Sequence, residues 1–407
     1  MCGVKHDIHR LDKRIKWAVE RVDKDKDVLP GNRKTILKFD NYLLSIGIKA
    51  ARRYKYLNLL RWLSKALGKS FEKATKEDFI RIVADIEKTK LSEWSKVDRK
   101  VTIKRFYKWF RGDDEEYPKE VRWMKCHIKN DRCRLPEELL TQEDVTKLAL
   151  AAKTPRDKAL VLCLFESGCR ISELVTLQIK NIEFDDYGAA LRVTGKTGDR
   201  RVRIVASAPT LAEWLNYHPF REDPQSYVFL RDLRRGIQDN LPFSYNNARI
   251  IIRKMAKKAG ITKPVNPHTF RHSRATAMAS KLTEAQMKVY FGWVQGSGMA
   301  GVYVHLSGRD VDQAILDMHG HQKQEDNRSE DLKQMICMRC RAENSPASKF
   351  CTSCGTALSS EIAMESGNRL QRSDDLINTL MKDPRFQEMI LKKLTERGTD
   401  EVMEVIQ

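Results

Sequence analysis

Apolar residues recur at three- and four-residue spacing through most of the chain, the signature of amphipathic helices. From Pro30 the positions Ile36, Leu37, Phe39, Tyr42, Leu43 and Leu44 predict one helix, ended by Gly47. A second is expected over 51–67, with Leu57, Leu60 and Leu63 on one side and Gly68 as its stop. Thr75 followed by Asp78 is a helix start for 79–88. A further helix over 93–110 ends at Gly112. The first 28 residues are charged and mostly polar, with room for one amphipathic helix around Ile15, Trp17 and Val22. Short helices without strands predict a small helical bundle over 1–112.

Asp113-Asp114-Glu115-Glu116 then reverses the charge, and with Pro118 and Pro136 it marks a linker over 113–136. A second domain, 137–318, opens on Thr141 and Asp144, another helix start. The apolar run 155–165 is a helix ended at Gly168, and a short helix follows over 171–177. Three strand-like runs come next, 181–184, 190–194 and 201–205. The last two are joined by Gly195-Lys196-Thr197-Gly198-Asp199-Arg200, whose glycines allow a tight hairpin tip. Helices are expected over 209–217, 244–259 and 268–281, the last pre-set by Pro267, and a short one over 308–318. A polar linker (319–331), a cysteine-rich segment (332–360) and a tail (361–407) with helical periodicity near 376–381 and 386–394 complete the chain. The fold class is mainly α with a small antiparallel β-sheet.

Charge sharpens this picture. The 407 residues carry a formal net charge of +20, and residues 1–112 alone hold 30 Lys+Arg against 14 Asp+Glu. A solvated helical surface gives such a balance, and so does a phosphate-binding face. Two basic-aromatic strips favour the second reading: Arg52-Arg53-Tyr54-Lys55-Tyr56, and Lys100, Thr102, Lys104, Arg105, Tyr107, Lys108 and Arg111. Arg52, Arg53, Lys104 and Arg105 are the candidate DNA-backbone contacts, with Trp109 and Phe110 assigned to the core. The predicted helix 244–259 carries a third basic face of Arg249, Arg253, Lys254, Lys257 and Lys258. No apolar run is long enough to span a bilayer and no signal-peptide pattern opens the chain, so a cytoplasmic protein is expected. Nine cysteines, four of them in two Cys-x-x-Cys pairs, indicate a metal site in a reducing compartment and not a disulfide framework.

The candidate chemistry lies between Glu166 and Tyr303. In Pro267-His268-Thr269-Phe270-Arg271-His272 the residues His268 and Arg271 are three apart and share a helix face. Histidine holds or moves a proton near neutral pH, and the guanidinium fork suits a phosphate. Arg170 follows Gly168, with Glu173 three residues on. Tyr303 is a phenol available as a nucleophile if activated. His272 is read as a structural helix residue, and Tyr290 as helix core. Two arginines, a histidine and a tyrosine, without a carboxylate cluster for Mg²⁺, suggest phosphoryl transfer without a catalytic metal or other cofactor.

The ordered set Gly168-x-Arg170-x-Ser172-Glu173-Leu174, His268-x-x-Arg271, Gly292-Trp293 and Tyr303 resembles the tyrosine recombinase (phage integrase) family, Xer-like and of the archaeal type. The resemblance spans about 137–317. It implies a helical core-binding domain closing one side of a clamp on the duplex, and an α+β catalytic domain that cleaves and rejoins DNA through a 3′-phosphotyrosine. By position, Tyr303 matches the nucleophile, Arg170 and Arg271 the phosphate-binding arginines, and Lys196 the acid for the leaving 5′ oxygen. Arg200 and Arg201 compete with Lys196 for that role. His268 matches the orienting histidine. Trp293 stands where many relatives have histidine, and its indole N–H can donate to a phosphate oxygen but cannot titrate. Trp293 lies ten residues before Tyr303, one more than the Xer-like pattern, and Gln295-Gly296-Ser297-Gly298 absorbs the extra residue. A tetramer on two duplexes is implied. Two other readings stay open: a type IB topoisomerase-like nicking-closing enzyme, and a DNA-binding protein of this fold without strand exchange.

Cys337-x-x-Cys340 and Cys351-x-x-Cys354, ten residues apart, have the spacing of a zinc ribbon. Four thiolates close the coordination shell, so this zinc would be structural, with iron as the alternative metal. The ribbon lies outside the recombinase resemblance and reads as an appended module.

Overall fold

The structure, a computed structural model, describes residues 7–112, 115–127, 138–195, 197–231, 240–279, 281–303, 315, 318–319, 332 and 334–389. The chain folds as two compact units, Met1–Leu135 and Pro136–Gln407. No helix among the described residues is long and apolar enough to cross a membrane.

The first unit is helical: α1 (Leu11–Lys24), α2 (Pro30–Ser45), α3 (Ala50–Leu67), α4 (Lys76–Lys88), α5 (Glu93–Arg111) and the short α6 (Lys119–Arg122). Thr75 and Asp78 form the expected reciprocal cap of α4, and Gly68 ends α3 in the left-handed conformation. Phe39, Phe71, Phe79, Phe106 and Tyr107 make an aromatic core with mostly edge-to-face contacts, such as Phe39 on Phe106 at 5.3 Å. Trp109 and Phe110 join its margin. Buried Asn32 ties α2 to the turn after α3, donating to Ser64 Oγ and the Lys69 carbonyl and accepting from Phe71 N–H. Two expectations change. Trp17 lies on the outer face of α1 under the Arg21 guanidinium, while Ala18 and Val22 are the buried residues. Residues 119–122, expected as linker, form a helical turn that inserts Val121 into this core, and Met124 follows it there.

In the second unit α7 (Gln142–Leu150), α8 (Pro155–Ser167) and α9 (Ile171–Val175) precede a three-stranded antiparallel sheet in the order β1 (Ile182–Asp185), β2 (Gly188–Gly195), β3 (Gly198–Ile204). The register pairs Gly195 with Gly198, so the hairpin tip is two residues, shorter than the sequence suggested. There follow α10 (Ala208–Asn216), α11 (Tyr245–Lys258), α12 (Pro267–Ala279) and α13 (Glu284–Phe291). The apolar run of α8 is buried on every side, with α7, α10, α12 and β3 packed around it. Its last turn carries Glu166, whose buried carboxylate accepts from the N–H groups of Val205, Ala206 and Ser207 and from the Ser207 hydroxyl, at 2.6–3.0 Å. That carboxylate saturates the otherwise orphaned donors where β3 turns into α10.

The cysteine-rich segment folds as a two-stranded ladder, β4 (Met335–Ile336) with β5 (Glu343–Asn344), beside α10. Gln334 Nε2 donates to the Val205 carbonyl at 3.2 Å, and an open cleft separates Ala149, Leu150, Lys158 and Glu213 from Ala347, Lys349 and Phe350. The helix α14 (Ser360–Met381) follows, and residues 384–389 are helical. The region of the expected 308–318 helix and the 319–331 linker lies almost wholly outside the described residues.

Gly168 is where α8 must turn sharply. Its φ is +57°, and a Cβ there would meet the Phe291 ring at 2.6 Å and Arg274 Cγ at 3.1 Å. Gly168→Ala therefore combines left-handed strain, about 1–3 kcal/mol, with a clash against a fully buried ring. It should lower the thermal unfolding midpoint by several degrees. Gly31→Ala, with open space and helical backbone in α2, should leave the midpoint unchanged or raise it slightly.

Candidate active site

The site is built where the end of α8, α9, the β2–β3 hairpin, α12 and the end of α13 converge. Arg170 precedes α9, so its main-chain N–H is one of that helix's free donors, and Glu173 Oε2 accepts it at 2.8 Å. Glu173 Oε1 accepts from Arg170 Nη1 at 2.8 Å, and Oε2 also accepts from Arg200 Nη2 at 2.7 Å. Burial pushes the Glu173 carboxyl up, but the bonds and charge of Arg200, then those of Arg170, hold it below the ordinary carboxylate range. Glu173 is thus an anion clamped between two guanidiniums, with its side chain 1% exposed.

Arg271 extends from α12 into the same region. Its Nη1 donates to the Gly168 carbonyl at 2.9 Å and its Nη2 to the Phe291 carbonyl at 2.5 Å. Both partners are neutral. Burial, then the nearby Arg170 charge, lowers its pKa to about 10, so it stays protonated at neutral pH. Three guanidiniums face one carboxylate, leaving a local positive excess.

The Gly292 carbonyl gathers the other parts. It accepts from Arg170 Nη2 at 3.4 Å and from Thr197 Oγ1 at 3.0 Å, which ties the hairpin tip to the end of α13. Gly292 has φ +60°, and a Cβ there would press on Arg200 Nη1 and Thr197 Oγ1 at 3.1–3.3 Å. Trp293 follows and lies parallel to Phe291, ring centroids 5.0 Å apart. Tyr303 stacks on Trp293 at 5.5 Å and 3°. The Arg271 guanidinium sits 5.7 Å from the Trp293 ring centroid.

The structure therefore brings together Arg170, Arg271, Trp293 and Tyr303. His268 stands on α12 one turn before Arg271, with an exposed side chain. Lys196 lies outside the described residues, and its neighbour Thr197 makes the bond to Gly292. Tyr290, the competing tyrosine, donates its hydroxyl to the Glu166 carbonyl at 2.9 Å, and burial pushes its pKa up to about 12. Arg200, the competing acid, is spent on Glu173 and the Tyr290 carbonyl.

Two readings are corrected. His272 is half-buried, and its Nδ1 lies 2.5 Å from the Tyr303 hydroxyl, so it is no mere structural helix residue. Arg53 gives its Nε and Nη2 to Asp40 at 2.9 and 2.5 Å with the side chain 12% exposed, which removes it from the phosphate-contact candidates. Other members of the strips are also engaged. Lys104 donates to the Met124 carbonyl and lies over the Tyr117 ring, Arg105 donates to the Tyr42 hydroxyl at 3.4 Å, Lys100 pairs with Glu87, and Tyr107 is core. Arg52 is exposed.

The sulfurs of Cys337, Cys340, Cys351 and Cys354 all lie within 4.8 Å of one another, a set able to hold a metal ion. The separations Cys337–Cys354 (3.6 Å) and Cys340–Cys351 (3.5 Å) approach the ~3.8 Å edge of a tetrahedron with Zn–S bonds of about 2.3 Å. The two knuckles are alike. Arg341 (φ 62°) and Gly355 (φ 71°) follow the second cysteine of each pair in the left-handed region, and each N–H donates at 2.9 Å to the carbonyl of the first cysteine. Main-chain N–H groups of Cys354 and Ser353 pull the Cys351 thiol down to about 6, toward the thiolate a metal needs.

The sequence profile of the phage integrase family matches residues 138–309. The chain is 32% identical over 233 residues to tyrosine recombinase XerA of Pyrococcus horikoshii, covering 56% of this chain and 75% of that protein. It is 31% identical over 273 residues to tyrosine recombinase XerD of Chlorobaculum tepidum, covering 60% and 82%. Among solved structures, XerH site-specific recombinase bound to difH substrate aligns with TM-score 0.50 and 17% identity, covering 77% of this chain and 97% of that one. The Tn1549 transposon integrase in complex with transposon right end DNA aligns with TM-score 0.56 and 16% identity, covering 70% and 99%. These structural likenesses carry the fold. The chain belongs to the phage integrase family of tyrosine recombinases. It is a tyrosine-type site-specific recombinase.

Glu173→Gln tests the central ion cluster. Removing the charge leaves the buried Arg200 and the partly exposed Arg170 without their counter-ion, a loss of about 3–5 kcal/mol. Because the folded-state pKa of Glu173 is depressed, its contribution is present above about pH 4.3 and disappears as pH falls through the lower folded value. Thermal unfolding against pH should therefore show Glu173→Gln well below wild type at pH 7, with the two converging in acid.

Proposed function

We propose that this recombinase cleaves and rejoins double-stranded DNA with Tyr303 as nucleophile, forming a 3′-phosphotyrosine and freeing a 5′ hydroxyl. The observation that carries the reading is the Tyr303–Trp293–Arg271 stack beside the Arg170–Glu173–Arg200 cluster. A phenol held against an excess of buried positive charge suits attack on a phosphodiester, whose transition state gathers negative charge on the non-bridging oxygens. Arg170 and Arg271 would neutralise those oxygens. Glu173 fixes the Arg170 fork, and the Trp293 indole N–H would donate to a phosphate oxygen. His268, exposed on the Arg271 face of α12, would orient the phosphate and balance protons.

Lys196 is proposed as the acid for the leaving 5′ oxygen. The support is its neighbour Thr197, which bonds to Gly292, between Phe291 and Trp293. Arg52, Lys104 and Arg105 are proposed DNA-backbone contacts, Arg52 the most accessible of them. The bond energy stays in the covalent link, so rejoining needs no ATP. Strand exchange would use a tetramer on two duplexes, in the cytoplasm. The domain division proposed is a core-binding domain over 1–112, catalytic domain over 137–318, zinc ribbon over 332–360 and helical tail over 361–407. The four cysteines would hold one structural zinc. When bound, it cross-links the two knuckles and takes no part in the reaction.

Strand exchange on paired target sites tests the function. Recombinant products should form in EDTA as well as in its absence, because arginines supply the charge at the phosphate. The purified protein should carry about one zinc per chain, lost on Cys351→Ser. Cleavage that stops on chelation without loss of that zinc would contradict the metal-free reading.

A bridging 5′ sulfur tests Lys196. An alkoxide needs a proton to leave, whereas a thiolate, from a thiol of pKa about 8.5, leaves without one. Lys196→Ala should cleave ordinary DNA ~10²-fold slower or more and be rescued by the sulfur substrate. Arg170→Ala and Arg271→Ala should not be rescued. Rescue of Arg201→Ala in place of Lys196→Ala would move the acid to that residue.

A further inference from the structure

We propose that His272 is a further catalytic residue: the acceptor that holds the Tyr303 hydroxyl and takes its proton as the covalent bond to phosphorus forms. This rests on the reading of Tyr303 as nucleophile. The phenol lies flat against Trp293, which fixes its plane, and its hydroxyl meets His272 Nδ1 at 2.5 Å. The two rings are tilted by 40° with centroids 5.7 Å apart, so the contact is edge to edge through the polar atoms and not a stack. His272 follows Arg271 directly on α12. The helix that supplies a phosphate-binding cation thus also supplies a group against the nucleophile.

The chemistry needs such a group. A tyrosine hydroxyl with its ordinary pKa near 10 is protonated at neutral pH and must lose its proton to attack. His268, the other imidazole assigned to the site, is exposed on α12 one turn before Arg271, whereas the contact to the Tyr303 hydroxyl is made by His272. The remaining groups assigned to the site cannot receive the proton. Guanidinium and ammonium groups carry only donors, and an indole N–H does not accept. Glu173 is committed to Arg170 and Arg200. A neutral imidazole with its proton on Nε2 presents Nδ1 as an acceptor.

The step balances. The Tyr303 Oη–H bond breaks and its proton passes to His272 Nδ1. The Oη–P bond forms, the P–O5′ bond breaks, and the 5′ oxygen takes its proton from the leaving-group acid. On rejoining, a 5′ hydroxyl attacks phosphorus and gives its proton back to that acid, the P–O5′ bond forms, the Oη–P bond breaks, and the His272 imidazolium returns a proton to the leaving Tyr303 oxygen.

The test is single-turnover adduct formation by the full-length protein on a saturating nicked suicide substrate. His272→Ala removes the acceptor. His272→Asn keeps the size and a polar atom near the Nδ1 position but cannot take the proton. Both should form adduct ~10²-fold slower while binding DNA as wild type does. Added imidazole should restore part of the His272→Ala rate. A fluorinated, more acidic tyrosine at position 303 should narrow the gap between wild type and His272→Asn, because less base assistance is then required. Wild-type adduct rates in His272→Asn would overturn the proton-transfer role, as would a slow His272→Asn whose deficit is unchanged with the acidic phenol. If His272→Ala fails to fold, the Asn variant decides. An adduct that persists in Tyr303→Phe would instead overturn the choice of nucleophile, and the two failures are read separately.

Discussion

The buried carboxylate of Glu173 is the constraint on which the site depends. Guanidiniums from α9 and β3 converge on it, and it also caps the main chain at the start of α9. Without that anion, the Arg170 guanidinium and the buried Arg200 guanidinium would repel each other with no counter-ion between them. With it, Arg170 keeps a fixed orientation and remains about one-quarter exposed, while Arg200 is buried and spent. Among the described residues, Arg271 hydrogen-bonds to two carbonyl groups and to no carboxylate. The surplus positive charge therefore remains local, as a phosphoryl-transfer site requires.

Backbone features hold these groups in register. Gly168 and Gly292 both take left-handed conformations, and each offers its carbonyl to a site arginine. The Phe291–Trp293–Tyr303 stack then runs from the end of α13 to the proposed nucleophile, with the Arg271 guanidinium over the Phe291 and Trp293 rings. Tyr303, Trp293, Arg170 and Arg271 thus all belong to the second unit.

Much of this was legible from residue order. Helical periodicity and the Thr–Asp caps gave α2 to α5 to within a few residues, and the start of α7, because those signals are local. The ordered arginines, tryptophan and tyrosine indicated the site. What the sequence hid depends on distant partners. Arg53 reads as a surface cation until Asp40, on another helix, takes its fork. Arg200 reads as a competing hairpin-tip acid until the two-residue turn puts it on β3, facing Glu173. His272 reads as helix filler because nothing local announces a tyrosine 31 residues away. Glu166 gives no signal for the turn it caps some 40 residues downstream. The cysteine spacing was plain, but the left-handed Arg341 that makes the first knuckle match the glycine-bearing second one was not.

The account turns on which oxygen becomes joined to DNA. Protease digestion of the complex trapped on a nicked suicide substrate, followed by mass spectrometry of the nucleotide-bearing peptide, identifies that oxygen directly. The nucleotide should be attached to Tyr303 through a 3′-phosphate. Attachment at Tyr290, or a free 3′-phosphate end with no modified tyrosine, would contradict it.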